Sequence, residues 1–197
     1  MILGLTGDVG AGKSTLCRVW KDMGAYVIDS DSLAKNLWNL KTIQKKAKIR
    51  WGDDFFSCPS SEMSKKIADK IFNDDEEYKF VSELLHKATI SRLKKIAEKS
   101  DAKWIVVEIP LLFECGVPEW IDKTVYVSAS LGKRVERNAI RGWNELELSR
   151  REDKLLPREE KMKKADWIIE NSGTLKEWEE KGYEFALKIL SLTRLVR

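Results

Sequence analysis

Cysteine is scarce in this 197-residue chain, and Cys17, Cys58 and Cys115 stand far apart with no C-x-x-C pairing. An odd, scattered set argues against a disulfide framework or a zinc site, so structural thiols are expected. Long apolar runs are missing too: nowhere do about 18 uncharged apolar residues follow one another, as a membrane-spanning helix would need. The amino terminus has no basic segment ahead of an apolar one. Neither a membrane span nor a signal peptide is expected, which points to the cytoplasm. Histidine occurs once, as His86, and a lone histidine on a mixed helix reads first as a structural or surface residue. No excess of one charge exists, since 36 basic residues are interleaved with 32 acidic ones for a net charge of +4. That is a weak case for nucleic acid, and no such partner is expected. There are no repeats, no low-complexity linkers, and no N-K-x-D string of the kind a guanine-selecting GTPase needs.

What the chain has in plenty is charge, at 35% of residues against about a quarter in average proteins. Lysine and glutamate enrichment, with a single glutamine, predicts the heat resistance of a thermophilic source. The length allows one sizeable core and crowds two, so one α/β body with insertions is expected.

The chain is organised around its opening. Ile2-Leu3-Gly4-Leu5-Thr6 is an apolar run fit for a buried parallel strand, and Gly7-Asp8-Val9-Gly10-Ala11-Gly12-Lys13-Ser14-Thr15 follows it directly, satisfying G-x-x-x-x-G-K-[ST]. Such a loop curls its backbone N–H groups around a polyphosphate, and glycine removes side chains that would obstruct the approach. Gly10, Ala11, Gly12, Lys13, Ser14 and Thr15 are therefore the candidate nucleotide-binding residues. Lys13 supplies a mobile charge to the β/γ-phosphates, the Ser14 hydroxyl is the candidate Mg²⁺ ligand, and the helix starting near Gly12 aims its positive end at the same anion. Leu16, Val19, Trp20 and Met23 keep helical spacing up to Gly24, a natural helix stop.

Ala25 to Ile28 reads as a second strand ending at Asp29-Ser30-Asp31. Carboxylates at the carboxyl end of a strand in an open α/β sheet lie on the ligand edge, although Asp or Ser there can also cap the helix through Leu33, Leu37 and Trp38. Thr42 to Lys99 is mostly helical around a loop from Asp53 to Ser61, an insertion able to hold a second substrate. Trp104 to Ile109 is a buried strand closed by Pro110. Glu108 at its end occupies a place that supports Mg²⁺ in other phosphate-loop proteins, and equally suits a surface-edge carboxylate. A fourth strand runs from Thr124 to Ser128 and a fifth from Trp167 to Glu170, before a final helix from Thr174; alternation with helices predicts a parallel sheet. Between Arg134 and Lys164 the chain is very polar. Arg134, Arg137 and Arg141 stand three and four apart, so one helix face can present all of them, either to phosphate in a closing lid or to solvent and nearby glutamates.

Together these residues resemble the dephospho-coenzyme A kinase family along almost the whole chain. Gly4 to Thr15 matches its opening G-L-T-G-x-x-G-x-G-K-S-T, and Gly24 to Asp31 its G-x-x-V-I-D-A-D. Glu108 to Glu114 matches acid-x-P-L-L-F-E, Arg137 and Arg141 the R-x-x-x-R pair, and Pro157 to Gly173 P-x-E-E-K-x-x-x-A-D-x-x-I-x-N-S-G. The resemblance implies a phosphotransferase moving phosphate from ATP, with Mg²⁺, to the ribose 3′-hydroxyl of dephospho-coenzyme A. It implies a P-loop fold with a five-stranded parallel sheet: a nucleotide-binding body at residues 1–29, 101–137 and 165–197, a helical substrate subdomain at 30–100, and a lid at 138–164. Asp31 then matches the general base, Lys13, Arg137 and Arg141 the catalytic cations, and Asp29, His86, Glu108 and Leu111 the substrate side. A monomer is the expected state. Departures from the pattern are Lys87 after His86, Ser64 for a basic residue, and Leu156 for a lid glutamine. A kinase for another nucleoside or small alcohol is the alternative, and a nucleic-acid-associated ATPase a more distant one.

Overall fold

The apolar opening run forms β1 (Ile2–Gly7), whose residues Leu3 to Thr6 are all buried. The structure is a computed structural model describing residues 1–57, 60–153 and 155–195; Cys58 lies outside them. A strand buried on both faces belongs in the middle of a parallel sheet covered by helices. β1 pairs in parallel with β3 (Ile105–Glu108) on one side and β4 (Lys123–Ser128) on the other. With β2 (Tyr26–Asp29) and β5 (Trp167–Glu170) at the edges, the five-stranded parallel sheet has the order β2-β3-β1-β4-β5. The strands start and stop within a residue or two of the sequence expectation; Trp104 stays outside β3, yet its carbonyl accepts from Tyr26 N–H at 2.9 Å.

One face of the sheet is covered by α1 (Lys13–Asp22) and α9 (Leu175–Leu195). Leu3, Leu5, Val106, Val125, Val127 and Ile169 pack there against Leu16, Trp20, Trp178, Ala186 and Ile189. Trp20 is fully buried, its ring 5.6 Å from Trp104 and 6.0 Å from Phe185, and its indole N–H donates to the Gly182 carbonyl at 2.9 Å. Aromatic side chains bury about 150–250 Å², so this one contributes on the order of 4–6 kcal/mol by area.

The chain divides into two compact units, Met1–Asp29 with Ile96–Arg197, and Ser30–Lys95. The second unit comprises α2 (Ser30–Leu37), α3 (Lys41–Trp51), α4 (Ser60–Asn73) and most of α5 (Asp75–Glu98). Its core joins Trp38, Ile43, Ala47, Met63, Ile67 and Val81. Trp51 is the centre of an aromatic group, with Phe55 at 4.6 Å, Phe80 at 5.7 Å and Trp38 at 5.8 Å, and its N–H donates to Glu77 at 2.6 Å. That group explains a departure from the expected loop: Phe55 and Phe56 pack against Trp51, which winds Asp53–Phe56 into a 3-10 turn, and α4 then begins at Ser60. Among the described residues no helix is long and apolar enough to cross a membrane.

The polar segment continues the first unit. α6 (Leu131–Asn138) runs into a 3-10 turn (Ala139–Arg141) that stops at Gly142, followed by α7 (Glu145–Glu152) and α8 (Arg158–Lys164). Asn144 caps α7 by accepting from Glu147 N–H at 3.0 Å.

Candidate functional site

The turn from β1 into α1 is held from several sides. Lys13, first residue of α1, donates through Nζ to the carbonyls of Gly7 at 3.0 Å and Asp8 at 2.9 Å, which keep its ammonium over the loop. Gly12 caps the helix in the left-handed region at φ 96°, where the first helical N–H groups and the positive end of the helix meet the loop. The tight packing here is with the protein itself. A Cβ on Gly10 would lie 2.1 Å from Asn138 Nδ2, and one on Gly12 2.5 Å from Asn171 Nδ2. The sequence argument gave these glycines to the approach of phosphate; their nearest obstacles are two asparagine side chains that buttress the loop from behind.

Asn171, in the turn after β5, is a buried junction. Its Nδ2 donates to the Ala11 carbonyl at 2.8 Å, and its Oδ1 accepts from Arg137 Nη2 at 3.0 Å. Trp178 Nε1 donates to the Gly12 carbonyl at 3.1 Å, so the start of α9 secures the next residue of the loop. Arg137 Nη1 is buried and makes no hydrogen bond among the described residues, and burial lowers the guanidinium pKa. A buried guanidinium N–H on a residue tied through Asn171 to the phosphate-binding loop is suited to an anionic oxygen.

The arginine cluster expected on one helix face is not presented as one. Arg134 is buried in an ion pair with Glu152, bringing α7 against α6. Arg141 falls beyond the end of α6 and is exposed, its Nη1 donating to Asn138 Oδ1 at 3.4 Å and its guanidinium 5.5 Å from the Trp143 ring. Arg150 and Arg151 both bind Glu147, whose carboxyl they hold below its usual range. α6 ends at Asn138 and the chain tightens into the 3-10 turn ahead of Gly142, at φ 71°, so helical periodicity stops placing residues before Arg141 is reached. Glu114, from the L-L-F-E pattern, accepts from Leu156 N–H at 3.2 Å and pairs with the buried Lys161 at 3.5 Å, tying α8 to the body.

Asp29 and Glu108 end β2 and β3 and are register partners on the carboxyl edge of the sheet. Cys17, inside α1, donates its thiol to Glu108 Oε2 at 3.6 Å; burial, then Glu108, raises the thiol pKa far beyond the physiological range. Cys17 is therefore the structural thiol expected, whereas Cys115 is exposed. Ser14 is exposed in the first turn of α1, and like Asp29 and Glu108 it carries oxygen donors, the donor chemistry that suits Mg²⁺. Leu111 sits in the turn after Pro110. Asp31 lies in the first turn of α2 and His86 in α5, both in the second unit; burial lowers the His86 pKa.

Arg137 is thus tied to the loop of residues 10–15 through Asn171, whereas Arg141 reaches only Asn138, the neighbour of Gly10. Sequence reasoning passed over Asn171, Asn138, Trp178 and Asp8. Asn171 had a signal, standing inside the quoted I-x-N-S-G pattern; Asp8 had none, occupying a variable position of the loop motif.

Known proteins resemble this chain along most of its length. The dephospho-CoA kinase family model matches residues 1–177. A dephospho-CoA kinase of Aquifex aeolicus is 33% identical over 177 residues, covering 89% of this chain and 90% of its own. One from Geobacillus kaustophilus is 34% identical over 187 residues, covering 90% of each. A crystal structure of a Thermus thermophilus protein superposes with a TM-score of 0.77 at 31% identity, covering 98% of this chain and 96% of that one. With its parallel sheet, its phosphate loop after the central strand and a match over residues 1–177, this chain belongs to the dephospho-CoA kinase family.

Proposed function

We propose that the protein transfers the γ-phosphoryl group of ATP to the ribose 3′-hydroxyl of dephospho-CoA, completing coenzyme A. The observation that carries the donor half is the convergence on one loop of Lys13, over the Gly7 and Asp8 carbonyls, and Arg137, linked through Asn171 to Ala11. Family membership carries the acceptor half.

Phosphoryl transfer has a loose transition state, so positioning and charge do most of the work. Lys13 holds the β/γ-phosphates in ground and transition states alike. Arg137 offers its buried Nη1–H to an equatorial oxygen, and Arg141 adds a planar fork to the transferring group when the lid closes. The lid is the segment 138–164, in which α7 is held against α6 through Arg134 and Glu152 and α8 is anchored through Glu114. Ser14, with Asp29 and Glu108 as the carboxylates of the sheet edge, would hold Mg²⁺, which would supply neutralisation of the phosphate charge. Asp31 aligns the 3′-hydroxyl and accepts its proton late in the transfer. His86 and Leu111 contribute to the acceptor side, where Lys87, Ser64 and Leu156 make this chain's contacts its own. The enzyme is a cytoplasmic monomer acting on small molecules, without nucleic acid.

The test is incubation with ATP and Mg²⁺ against dephospho-CoA, other nucleosides and small alcohols, with and without DNA or RNA. Phosphate transfer to dephospho-CoA should exceed transfer to every other acceptor. Preference for another acceptor, or ATP hydrolysis stimulated by nucleic acid, would replace this reading. Light scattering at a mass near 22.7 kDa checks the monomer.

A further inference from the structure

The phosphate loop contains a buried carboxylate that phosphoryl transfer does not use. The Asp8 side chain is 3% exposed, one residue into a loop that must attract a polyanion. All of its polar groups are engaged. Its N–H donates to Val127 at 2.9 Å, and its carbonyl accepts from Ala11 N–H at 3.2 Å and from Lys13. One carboxylate oxygen accepts from the Tyr126 hydroxyl, and the other from Ala129 N–H at 3.1 Å. A charge in such a place repels phosphate with little screening, because few solvent dipoles separate the two.

Arg158, the first residue of α8, counters it. Its Nε is 3.1 Å from Asp8 Oδ2, and its Nη2 donates to the Ala129 carbonyl at 3.3 Å, so one guanidinium spans the carboxylate and the end of β4. Asp8 by itself would cancel the charge of Lys13; Arg158 offsets Asp8, so that Lys13 and Arg137 both keep their charge toward the loop. Burial and Asp8 raise the Tyr126 pKa, which keeps its phenol neutral and adds no further charge.

We infer that Arg158 is a positioning residue for the phosphate loop: it cancels the buried Asp8 charge, so that the loop attracts ATP while Asp8 braces the carbonyl that carries Lys13. The inference rests on reading the loop as the ATP site. It makes α8 part of nucleotide recognition through charge rather than contact, from a position that motif spacing leaves unassigned.

Calorimetric titration of the full chain with Mg-ATP tests it, using wild type, Arg158→Met, Arg158→Lys and the Asp8→Asn/Arg158→Met double variant. Each is titrated well below its own melting temperature, where a purely structural role leaves the affinity of the folded protein unchanged. Arg158→Met should weaken ATP binding about tenfold or more, since Asp8 is then uncompensated. Arg158→Lys keeps the charge and should bind within about threefold of wild type, and the double variant, with no charge to cancel, should return to the same range. Wild-type affinity in Arg158→Met, or no recovery in the double variant, overturns the inference. Should Arg158→Met not fold, the double variant and Arg158→Lys carry the test: both must bind near wild type, and weak binding by either overturns it. Wild-type protein that binds no ATP would instead overturn the reading of the loop.

Discussion

Asn171→Ala separates what the junction behind the phosphate loop does for folding from what it does for chemistry. The substitution removes a neutral hydrogen bond to the Ala11 carbonyl at 2.8 Å and a charged one from Arg137 at 3.0 Å, both at a buried residue. At about 0.5–1.5 kcal/mol for the neutral bond and about 1.5–3 for the charged one, the loss is about 2–4 kcal/mol. For a chain of this size that lowers the melting temperature by about 5–15 °C. Arg137 keeps only its longer contact with the Asn171 backbone carbonyl, at 3.4 Å. An ångström of misplacement at a transition-state group costs about 10²-fold, so kcat should fall by that factor while KM for ATP moves only a few-fold. Thermal melts and steady-state phosphorylation of dephospho-CoA, assayed well below the variant's melting point, give both numbers. Asn171→Asp sharpens the test: it keeps an acceptor for Arg137 but places a carboxylate against the Ala11 carbonyl, so kcat should recover while the melting temperature does not. Wild-type kcat in Asn171→Ala would refute the link from Asn171 to Arg137.

Lys13→Ala should impair ATP binding and turnover together, because its charge meets the phosphates before and during transfer; near-normal turnover would remove the loop from the mechanism. Arg141→Lys should lower kcat about a hundredfold if a planar fork is needed in the transition state, and unchanged kcat would return Arg141 to the solvated surface. Asp31→Asn should lower kcat by about 10²–10⁴-fold with ATP affinity within a few-fold, while Asp29→Asn should alter Mg²⁺ dependence; the reverse pattern across a Mg²⁺ series reassigns the base. Asp166 supplies a pH-dependent contribution to stability. Burial works against its carboxylate, but hydrogen bonds from Lys123 Nζ, Thr124 Oγ1 and Thr124 N–H outweigh it and lower the pKa. A folded pKa below the unfolded one means stabilisation at neutral pH that is lost as pH falls through the acidic range. Asp166→Asn should therefore be less stable than wild type to urea at pH 7, by a margin that narrows as pH falls below the ordinary aspartate range. A difference that persists undiminished at low pH would show that packing, and not the carboxylate, is responsible.

Much of this protein is written locally. β1, β3 and β4 are buried on both faces, so each centres on a short apolar stretch, Leu3 to Leu5, Ile105 to Val107 and Val125 to Val127, that needs no partner to be recognised. The phosphate loop is legible for a similar reason: its chemistry depends on residue types at fixed short spacing between one strand and one helix. Asp29 and Glu108 could be put on the ligand edge because each ends a strand, and parallel strands share their carboxyl edge. Pairing across the chain could not be read this way. Arg134, Arg137 and Arg141 share a helical spacing, yet one is buried against Glu152, one is held by Asn171 and one lies beyond the helix end. Which arginine met a glutamate and which met the loop was decided when α7 and the turn after β5 packed against α6. Gly10 and Gly12 read as room for phosphate, and only the packed structure shows Asn138 and Asn171 standing behind them. Asp8, a variable position to any motif, gained its meaning from Tyr126 on the neighbouring strand β4 and Arg158 on α8. Local spacing sets which backbone shapes are cheap; which charges end up buried together depends on contacts between distant segments, and those form only once the sheet has brought them side by side.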